Sequence, residues 1–212
     1  MATPSILEKI IRFQAFKWKD GKIILWNVPG YLSPLFSVVY QQRLLEKLHG
    51  HNEAAEFFYN VGKFQGQQTF RVIARNYGYN NLIKDKKRLL EFQTGQSALV
   101  GVGEYTWVKF DMDNKKFVVR GRSSFADEYV ALFGIQKKPV CHLVRGLCAG
   151  FIEELIKEPC LSIETSCIAS SNPVCEFVVR PLKAWDKTDP LVKSQWVRKI
   201  HDLRSLGSLK SP

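Results

Sequence analysis

The feature that most constrains the fold is a set of potential metal ligands spread over a helix and two strands in the last third of the chain. The set consists of Cys141, Glu164, Cys167 and Cys175. Apolar residues recur with helical spacing from Val140 to Ile156, and two strand-like runs follow around Ser162 and Phe177. A helix followed by a hairpin can bring these four side chains together. Thiolates with one carboxylate in tetrahedral reach are the ligands that a structural zinc ion requires.

The spacing of the cysteines leaves two interpretations open. Cys141 and Cys148 would share one face of the helix, about 10 Å apart along its axis, which is too far for both to bind one ion at about 2.3 Å. Cys148 lies in an apolar stretch and Cys160 begins a strand, so both indicate packing. The whole set is also compatible with buried free thiols, because cysteine is among the most buried residue types. A metal site and a group of packed thiols are therefore equal alternatives at this point.

Composition indicates an ordinary globular chain. Its 212 residues suffice for one large domain or two small ones, and 45% of them are hydrophobic and 24% charged. Five cysteines without regular spacing do not indicate a secreted disulfide framework. The N-terminus lacks the pattern of a signal peptide, and no apolar run approaches the roughly 20 residues of a membrane helix. We therefore expect a reducing, cytoplasmic setting and no membrane span.

The formal net charge of +11 has two interpretations. Such a positive field would attract nucleic acid, anionic lipid or an acidic protein. It is also what a cationic, solvated surface provides. The basic residues occur in short groups, such as 84–88 and 137–138, and in the tail 182–212, and do not follow one stripe. This distribution favours the solvated surface over a nucleic-acid interface.

Periodicity predicts the remaining elements. Hairpins are expected from Phe13–Trp18 with Lys22–Trp26, and from Tyr105–Asp111 with Lys116–Arg120. Helices are expected over 34–49, from after Asn52 through Ile73, over Lys86–Leu99, over Phe125–Phe133 and over Leu191–Leu206. Runs of strands and runs of helices, without strict alternation, predict an α+β fold in which helices pack on one face of an antiparallel sheet.

Two glycines in the second predicted helix carry a further expectation. Gly62 and Gly66 are four residues apart, so they lie on one face of the helix. This pattern indicates that another helix backbone approaches closely, although it would also arise in a helix that is merely weakened by glycine. We favour close packing.

The C-terminal motif resembles a known family. The segment Pro139-Val140-Cys141, followed by Gly146, Gly150, Glu164, Cys167, Cys175 and Phe177, resembles the vinyl-4-reductase-like, or hydrocarbon-binding, domain. This domain also occurs in the aromatic-sensing regions of bacterial activators. It is related in fold to TRAPP subunits, within the NO-signalling and Golgi-transport ligand-binding fold. The similarity touches most of residues 1–181 and is specific in 139–179.

The resemblance implies a cofactor, a domain organisation and an oligomeric state. It implies a structural Zn²⁺ with Cys141, Glu164, Cys167 and Cys175 as its ligands, which makes zinc the favoured interpretation. It implies a single ligand-binding domain over residues 1–181, followed by a basic tail over 182–212. Within that domain, residues 1–50 would form a dimerisation region with an N-terminal hairpin and helix, and 139–181 the zinc-binding helix and hairpin. A homodimer is expected.

The same resemblance implies a small hydrophobic ligand or an acyl chain. Aromatic sensors of the family use a histidine and tryptophans to hold a phenol, but this chain has no histidine between His51 and His142. This difference argues against recognition of a phenol through the same polar contacts. We expect an apolar cavity between helices and sheet, although core packing would explain each aromatic residue equally well. The predicted lining residues are Phe92, Trp107, Leu147 and Phe151.

Sequence motifs give little support for catalysis. The chain has no G-x-G-x-x-G turn, P-loop or H-E-x-x-H motif, and a zinc ion with four protein ligands has no open position for water. His49 and His51 are expected at the surface, and His142 either behind the metal ligands or exposed. The first hypothesis is therefore a zinc-stabilised, non-catalytic sensor or carrier. The alternative is a TRAPP-like interaction scaffold or a basic regulator that associates with nucleic acid.

Overall fold

The structure, a computed structural model, describes residues 16–19, 21–25, 28–30, 33–77 and 86–201. In these ranges the chain forms six α-helices and two antiparallel sheets. The helices are α1 (Leu35–His49), α2 (His51–Tyr77), α3 (Lys86–Leu99), α4 (Ser124–Phe133), α5 (His142–Ile156) and α6 (Pro190–Ser194). The strands are β1 (Phe16–Lys19), β2 (Lys22–Leu25), β3 (Val28–Gly30), β4 (Gly103–Asp111), β5 (Lys116–Ser123), β6 (Cys160–Ser166) and β7 (Cys175–Pro181).

The main sheet joins the two predicted C-terminal hairpins. Its strand order is β4-β5-β7-β6, and all neighbours are antiparallel. The β4–β5 connection is closed by Asp111, whose side chain accepts a hydrogen bond of 2.9 Å from the backbone N–H of Asn114. Strand β7 lies between β5 and β6, with Phe177 opposite both Val119 and Glu164. The predicted α+β class with an antiparallel sheet and packed helices is confirmed.

A smaller sheet of β1, β2 and β3 forms near the N-terminus. Gly21 makes the turn between β1 and β2 with a φ of +72°, as a tight hairpin requires. Residues 13–15, 20 and 26 of the predicted hairpin lie outside the described residues. Strand β3 was not predicted, because Pro29 and Gly30 are typical of a turn and proline cannot donate to a ladder. It pairs with β2 all the same, placing Pro29 opposite Ile24.

Helices α2 and α5 pack backbone against backbone, as the spaced glycines predicted. A Cβ atom on Gly62 would overlap the carbonyl oxygen of Leu143 in α5. In the other direction, a Cβ atom on Gly146 would overlap the carbonyl oxygen of Tyr59 in α2. Gly66 and Gly150 repeat the pattern one turn further on. On its other side α5 contacts β6 and β7, so this helix lies between α2 and the main sheet.

Large apolar side chains fill the space between the main sheet and the helices. The fully buried ones include Phe70, Leu89, Phe117, Phe151 and Phe177. Phe70 of α2 and Phe151 of α5 pack edge to face, with ring centroids 5.4 Å apart. Within the described residues, no helix is long and apolar enough to cross a membrane.

The predicted helix Leu191–Leu206 is wrong in its extent. Helix α6 ends at Ser194, residues 195–201 are not helical, and residues 202–206 lie outside the described part of the chain. The helix begins with Asp189, whose carboxylate accepts hydrogen bonds from two backbone N–H groups of the first turn. It stops because Gln195 and Val197 both turn into the protein, at 8% and 4% exposure. Residues 182–201 therefore pack against the domain.

Candidate functional site

The four predicted metal ligands come from three consecutive elements. Cys141 directly precedes α5, Glu164 lies on β6, Cys167 follows β6, and Cys175 begins β7. The β6–β7 pairing brings Glu164, Cys167 and Cys175 to one end of the hairpin, and α5 packs across it with its N-terminal end there. The helix and hairpin pattern thus brings together the residues that the sequence singled out.

The geometry of the cluster is that of a ligand set. The Sγ atom of Cys141 lies 3.8 Å from that of Cys175 and 4.0 Å from that of Cys167. All four ligand atoms lie within 4.8 Å of one another, and all four residues are buried. A disulfide would need about 2.0 Å between the sulfurs, whereas a tetrahedral ion with bonds of about 2.3 Å separates them by about 3.8 Å. The cluster could therefore hold a metal ion.

The electrostatics of the cluster also favour a cation. Burial raises the pKa of Glu164 and of Cys141 well above their usual values. Hydrogen bonds from Cys141 and Cys167 lower the pKa of Cys175 to about 5. One carboxylate oxygen of Glu164 accepts from the backbone N–H of Cys141 at 3.2 Å, while the other is buried without a partner. A bound divalent cation would give that oxygen a partner and would compensate the charge of several ionised ligands.

A glutamine far along the chain supports the cluster from behind, and sequence reasoning missed it. The side-chain amide of Gln195 donates to the carbonyl oxygen of Glu164 at 2.8 Å and accepts from its N–H at 2.9 Å. The buried guanidinium of Arg145 donates to the backbone carbonyl of Gln195 at 2.6 Å. No sequence signal marks Gln195, which stands in a polar, basic segment.

The other two cysteines lie outside the cluster, in agreement with the sequence analysis. Cys148 is buried in the main hydrophobic core, and the thiol of Cys160 donates to the carbonyl of Glu158 at 3.2 Å. Burial raises the pKa of each thiol to about 12, so both stay protonated at neutral pH.

The predicted pocket residues fall into two groups. Phe151 is fully buried, and Phe92 and Trp107 are half-buried and pack against the same core cluster. The indole N–H of Trp107 donates to the side chain of Gln93 at 3.2 Å. Leu147 instead lies on α5 where that helix faces α2, next to Gly62 and Gly66. The structure thus assembles three of the four residues around one core and separates Leu147 from them.

A cleft that the sequence did not predict opens between α2 and residues 187–201. Its volume is about 680 Å³. Apolar groups such as Phe57 and Trp196 line it together with basic groups such as Lys193. Arg145 also lines it, stacked 4.8 Å from the ring centroid of Tyr59.

Two histidines depart from the expectation of a surface position. His142 is 3% exposed, so it is buried, and the half-buried ring of His51 lies 5.2 Å from it. His49 is exposed, as expected.

Comparison with known proteins follows the same division between a specific C-terminal part and a shared fold. Residues 125–181 match the family model of the vinyl-4-reductase domain. The phenol regulator MopR of Acinetobacter guillouiae is 25% identical over 68 residues, which are 32% of this chain and 12% of MopR. In two uncharacterised proteins of Methanocaldococcus jannaschii, the alignments span 27% and 62% of the relative's length. The chain therefore matches less than two thirds of each of these relatives.

Solved structures show the fold. The phenol-responsive sensory domain of the transcription activator PoxR, crystallised with phenol, has a TM-score of 0.71 at 18% identity, covering 86% of this chain and 92% of that domain. A trafficking protein particle complex subunit 3 from Naegleria fowleri, covalently bound to palmitic acid, has a TM-score of 0.50 at 13% identity, covering 69% and 89%. This chain therefore carries a vinyl-4-reductase domain at residues 125–181, within a fold that it shares with the PoxR sensory domain and the trafficking subunit.

Proposed function

We propose that the chain is a zinc-stabilised, non-catalytic domain that binds a small hydrophobic molecule or an acyl chain, as a sensor or carrier. The observation that carries this proposal is the closed, buried set of three thiols and one carboxylate within a sensory-domain fold. The proposed binding domain spans residues 1–181, and residues 182–201 cover one edge of its sheet.

Zinc is the ion that suits the cluster best. Thiolates select soft or borderline ions, and three cysteines with one carboxylate complete four-coordination. With four protein ligands the ion would have no open position, so its contribution would be structural. It would tie the start of α5 to the β6–β7 hairpin. Elemental analysis of the purified protein should then give one zinc per chain, and a metal-free protein of unchanged stability would contradict the proposal.

The hydrophobic ligand is inferred from the relatives and from the core of this chain. The related structures contain phenol and palmitic acid, which are both largely apolar. We place the ligand beside Phe92, Trp107 and Phe151, whose rings belong to or pack against one cluster between helices and sheet. Leu147 was the fourth predicted lining residue and would contribute from the α2 side of α5.

Native mass spectrometry after gentle purification tests the ligand and its place together. The wild-type chain should carry one zinc and an additional apolar mass, or should take up added phenol or palmitate. Trp107→Ala should then reduce occupancy, while Trp196→Ala in the cleft should not. Loss of the ligand only in Trp196→Ala would move the site to the cleft, and a chain that takes up neither probe would refute the sensor proposal.

The partner proposed for this domain is a second copy of the chain. Helix α1 has apolar residues at every fourth position on an exposed face, with exposures of 48% to 64%. They are Phe36, Tyr40, Leu44 and Leu48. Such a stripe on an amphipathic helix is typical of a helix–helix interface. Light scattering should give a dimer for the wild-type chain and a monomer for Leu44→Glu, and a wild-type monomer would contradict the proposal.

The basic groups favour a solvated surface over a nucleic-acid interface. Lys115 and Lys183 both pair with Glu158, and Arg120 pairs with Glu176. These ion pairs reduce the local positive field. Steeply salt-dependent binding to DNA or RNA would favour the alternative function.

A further inference from the structure

A second group of metal-ligating side chains lies near the N-terminal ends of α2 and α5. Glu46 is on the last turn but one of α1, His51 begins α2, and His142 begins α5. Gly50, with a φ of +91°, makes the sharp turn that brings the end of α1 back to the start of α2. One potential ligand atom from each of Glu46, His51 and His142 lies within 4.8 Å of the others.

The imidazole of His142 gives an independent reason to expect a ligand. It is 3% exposed, and neither Nδ1 nor Nε2 has a hydrogen-bond partner. Buried polar groups are nearly always satisfied, and a buried imidazole with two unsatisfied nitrogens is costly. A bound cation would give one of them a partner.

Glu46 is oriented to offer one oxygen to this point. Its Oε2 accepts from the hydroxyl of Tyr129 and from the guanidinium of Arg43. Its Oε1 lies 3.6 Å from Nδ1 of His51. Burial alone would raise the pKa of Glu46, but hydrogen bonds from His51, Tyr129 and Arg43 outweigh it and lower the pKa to about 2. The group is therefore a carboxylate at neutral pH.

We propose that Glu46, His51 and His142 form a second site, which binds an exchangeable divalent transition-metal ion such as Zn²⁺. Two ligands of a tetrahedral ion with bonds of about 2.0–2.2 Å are about 3.4 Å apart, close to the Glu46–His51 distance of 3.6 Å. Two imidazoles and one carboxylate suit zinc, copper, nickel and iron. Three protein ligands leave a position open, and His51 is 28% exposed, so the ion can exchange with solvent.

The position of this site would connect three helices. An ion held there would join α1, which has the proposed dimer stripe, to the starts of α2 and α5. His142 directly follows Cys141 in the chain, so the two metal sites would share the start of α5. The second site is independent of the first in its ligands.

A zinc titration tests the proposal. In wild-type protein whose cysteine cluster already holds one zinc, calorimetry should detect one further zinc per chain. His51→Ala should weaken that step at least about tenfold, since loss of an outer-shell partner alone costs about 10–100-fold in metal affinity. The matched control is His49→Ala, an exposed histidine two residues away. The proposal is overturned if the wild type takes up no further zinc, if His51→Ala binds normally, or if the control loses the step.

A measurement on the unmodified chain covers the case in which the variant does not fold. Cu²⁺ added to the zinc-loaded wild-type protein should give an electron paramagnetic resonance spectrum with coupling to two imidazole nitrogens. A spectrum without imidazole coupling would overturn the proposal. Because Cys175→Ser should remove only the cysteine-bound zinc, failure of either site can be separated from failure of the other.

Discussion

Replacing Gln195 by alanine should destabilise the protein through strand β6. This strand is at the edge of the described main sheet, so the outward N–H and C=O groups of Glu164 have no neighbouring strand. The Gln195 amide satisfies both, at 2.9 Å and 2.8 Å. Alanine would leave the two groups buried without a partner, and each such group costs about 1–3 kcal/mol.

The expected loss is therefore about 2–6 kcal/mol in the free energy of unfolding, at the lower end if water replaces the amide. For a chain of this size the melting temperature falls by about 2–4 °C per kcal/mol. Urea unfolding at fixed zinc measures the free energy, and the rate of zinc release to a chelator reports on the cluster. Release should be faster, because Glu164 loses the contacts that position its backbone.

Lys193→Ala is the matched control, since Lys193 is exposed and two residues from Gln195. It should stay within about 0.5 kcal/mol of the wild-type free energy of unfolding, as surface substitutions usually do. If Gln195→Ala unfolds with the same free energy as this control and releases zinc at the wild-type rate, the support of β6 by residues 195–201 is refuted.

Three further predictions concern packing, metal and acid. Gly146→Ala should cost at least about 1–3 kcal/mol in urea unfolding, because the new Cβ would overlap the carbonyl of Tyr59. Cys175→Ser should lose zinc by elemental analysis and lower the melting temperature, whereas Cys148→Ser should retain zinc. The lowered pKa of Glu46 stabilises the fold fully above about pH 4.5, and this contribution should disappear between there and about pH 2, as unfolding of wild type against Glu46→Gln would measure.

The C-terminal helix and hairpin could be predicted from the sequence because the information is local. Helical periodicity, two short strands and the ligand types all lie within residues 139–181, and neighbouring elements in a chain usually pack together. The glycines at 62 and 66 predicted a close helix neighbour for a similar reason, since a missing side chain leaves space for a backbone. They did not identify α5 as that neighbour, because periodicity describes one element at a time.

The contact between Gln195 and Glu164 could not be predicted because nothing local requires it. The residues are 31 positions apart, and the amide of a single glutamine has no periodicity. The basic residues around Gln195 favour a solvated helix, and the buried Val192 and Val197 are too few to contradict that pattern. The edge of β6 decides the outcome, because two unpaired backbone groups on a buried strand need a partner.

Helix α5 explains why these features occur together. Its glycine face allows α2 to approach within backbone contact, and its opposite face covers the sheet at Phe151. Both faces are therefore fixed by packing, and the position of its first turn depends on what holds the start of the helix. The start of α5 is Cys141, so an ion in the cysteine cluster would fix that turn against the hairpin. A ligand beside Phe151 would then meet a helix held at its start, and any displacement it causes should be larger toward Ile156 than toward Cys141. Hydrogen exchange with and without ligand measures that gradient, and equal changes along α5 would contradict it.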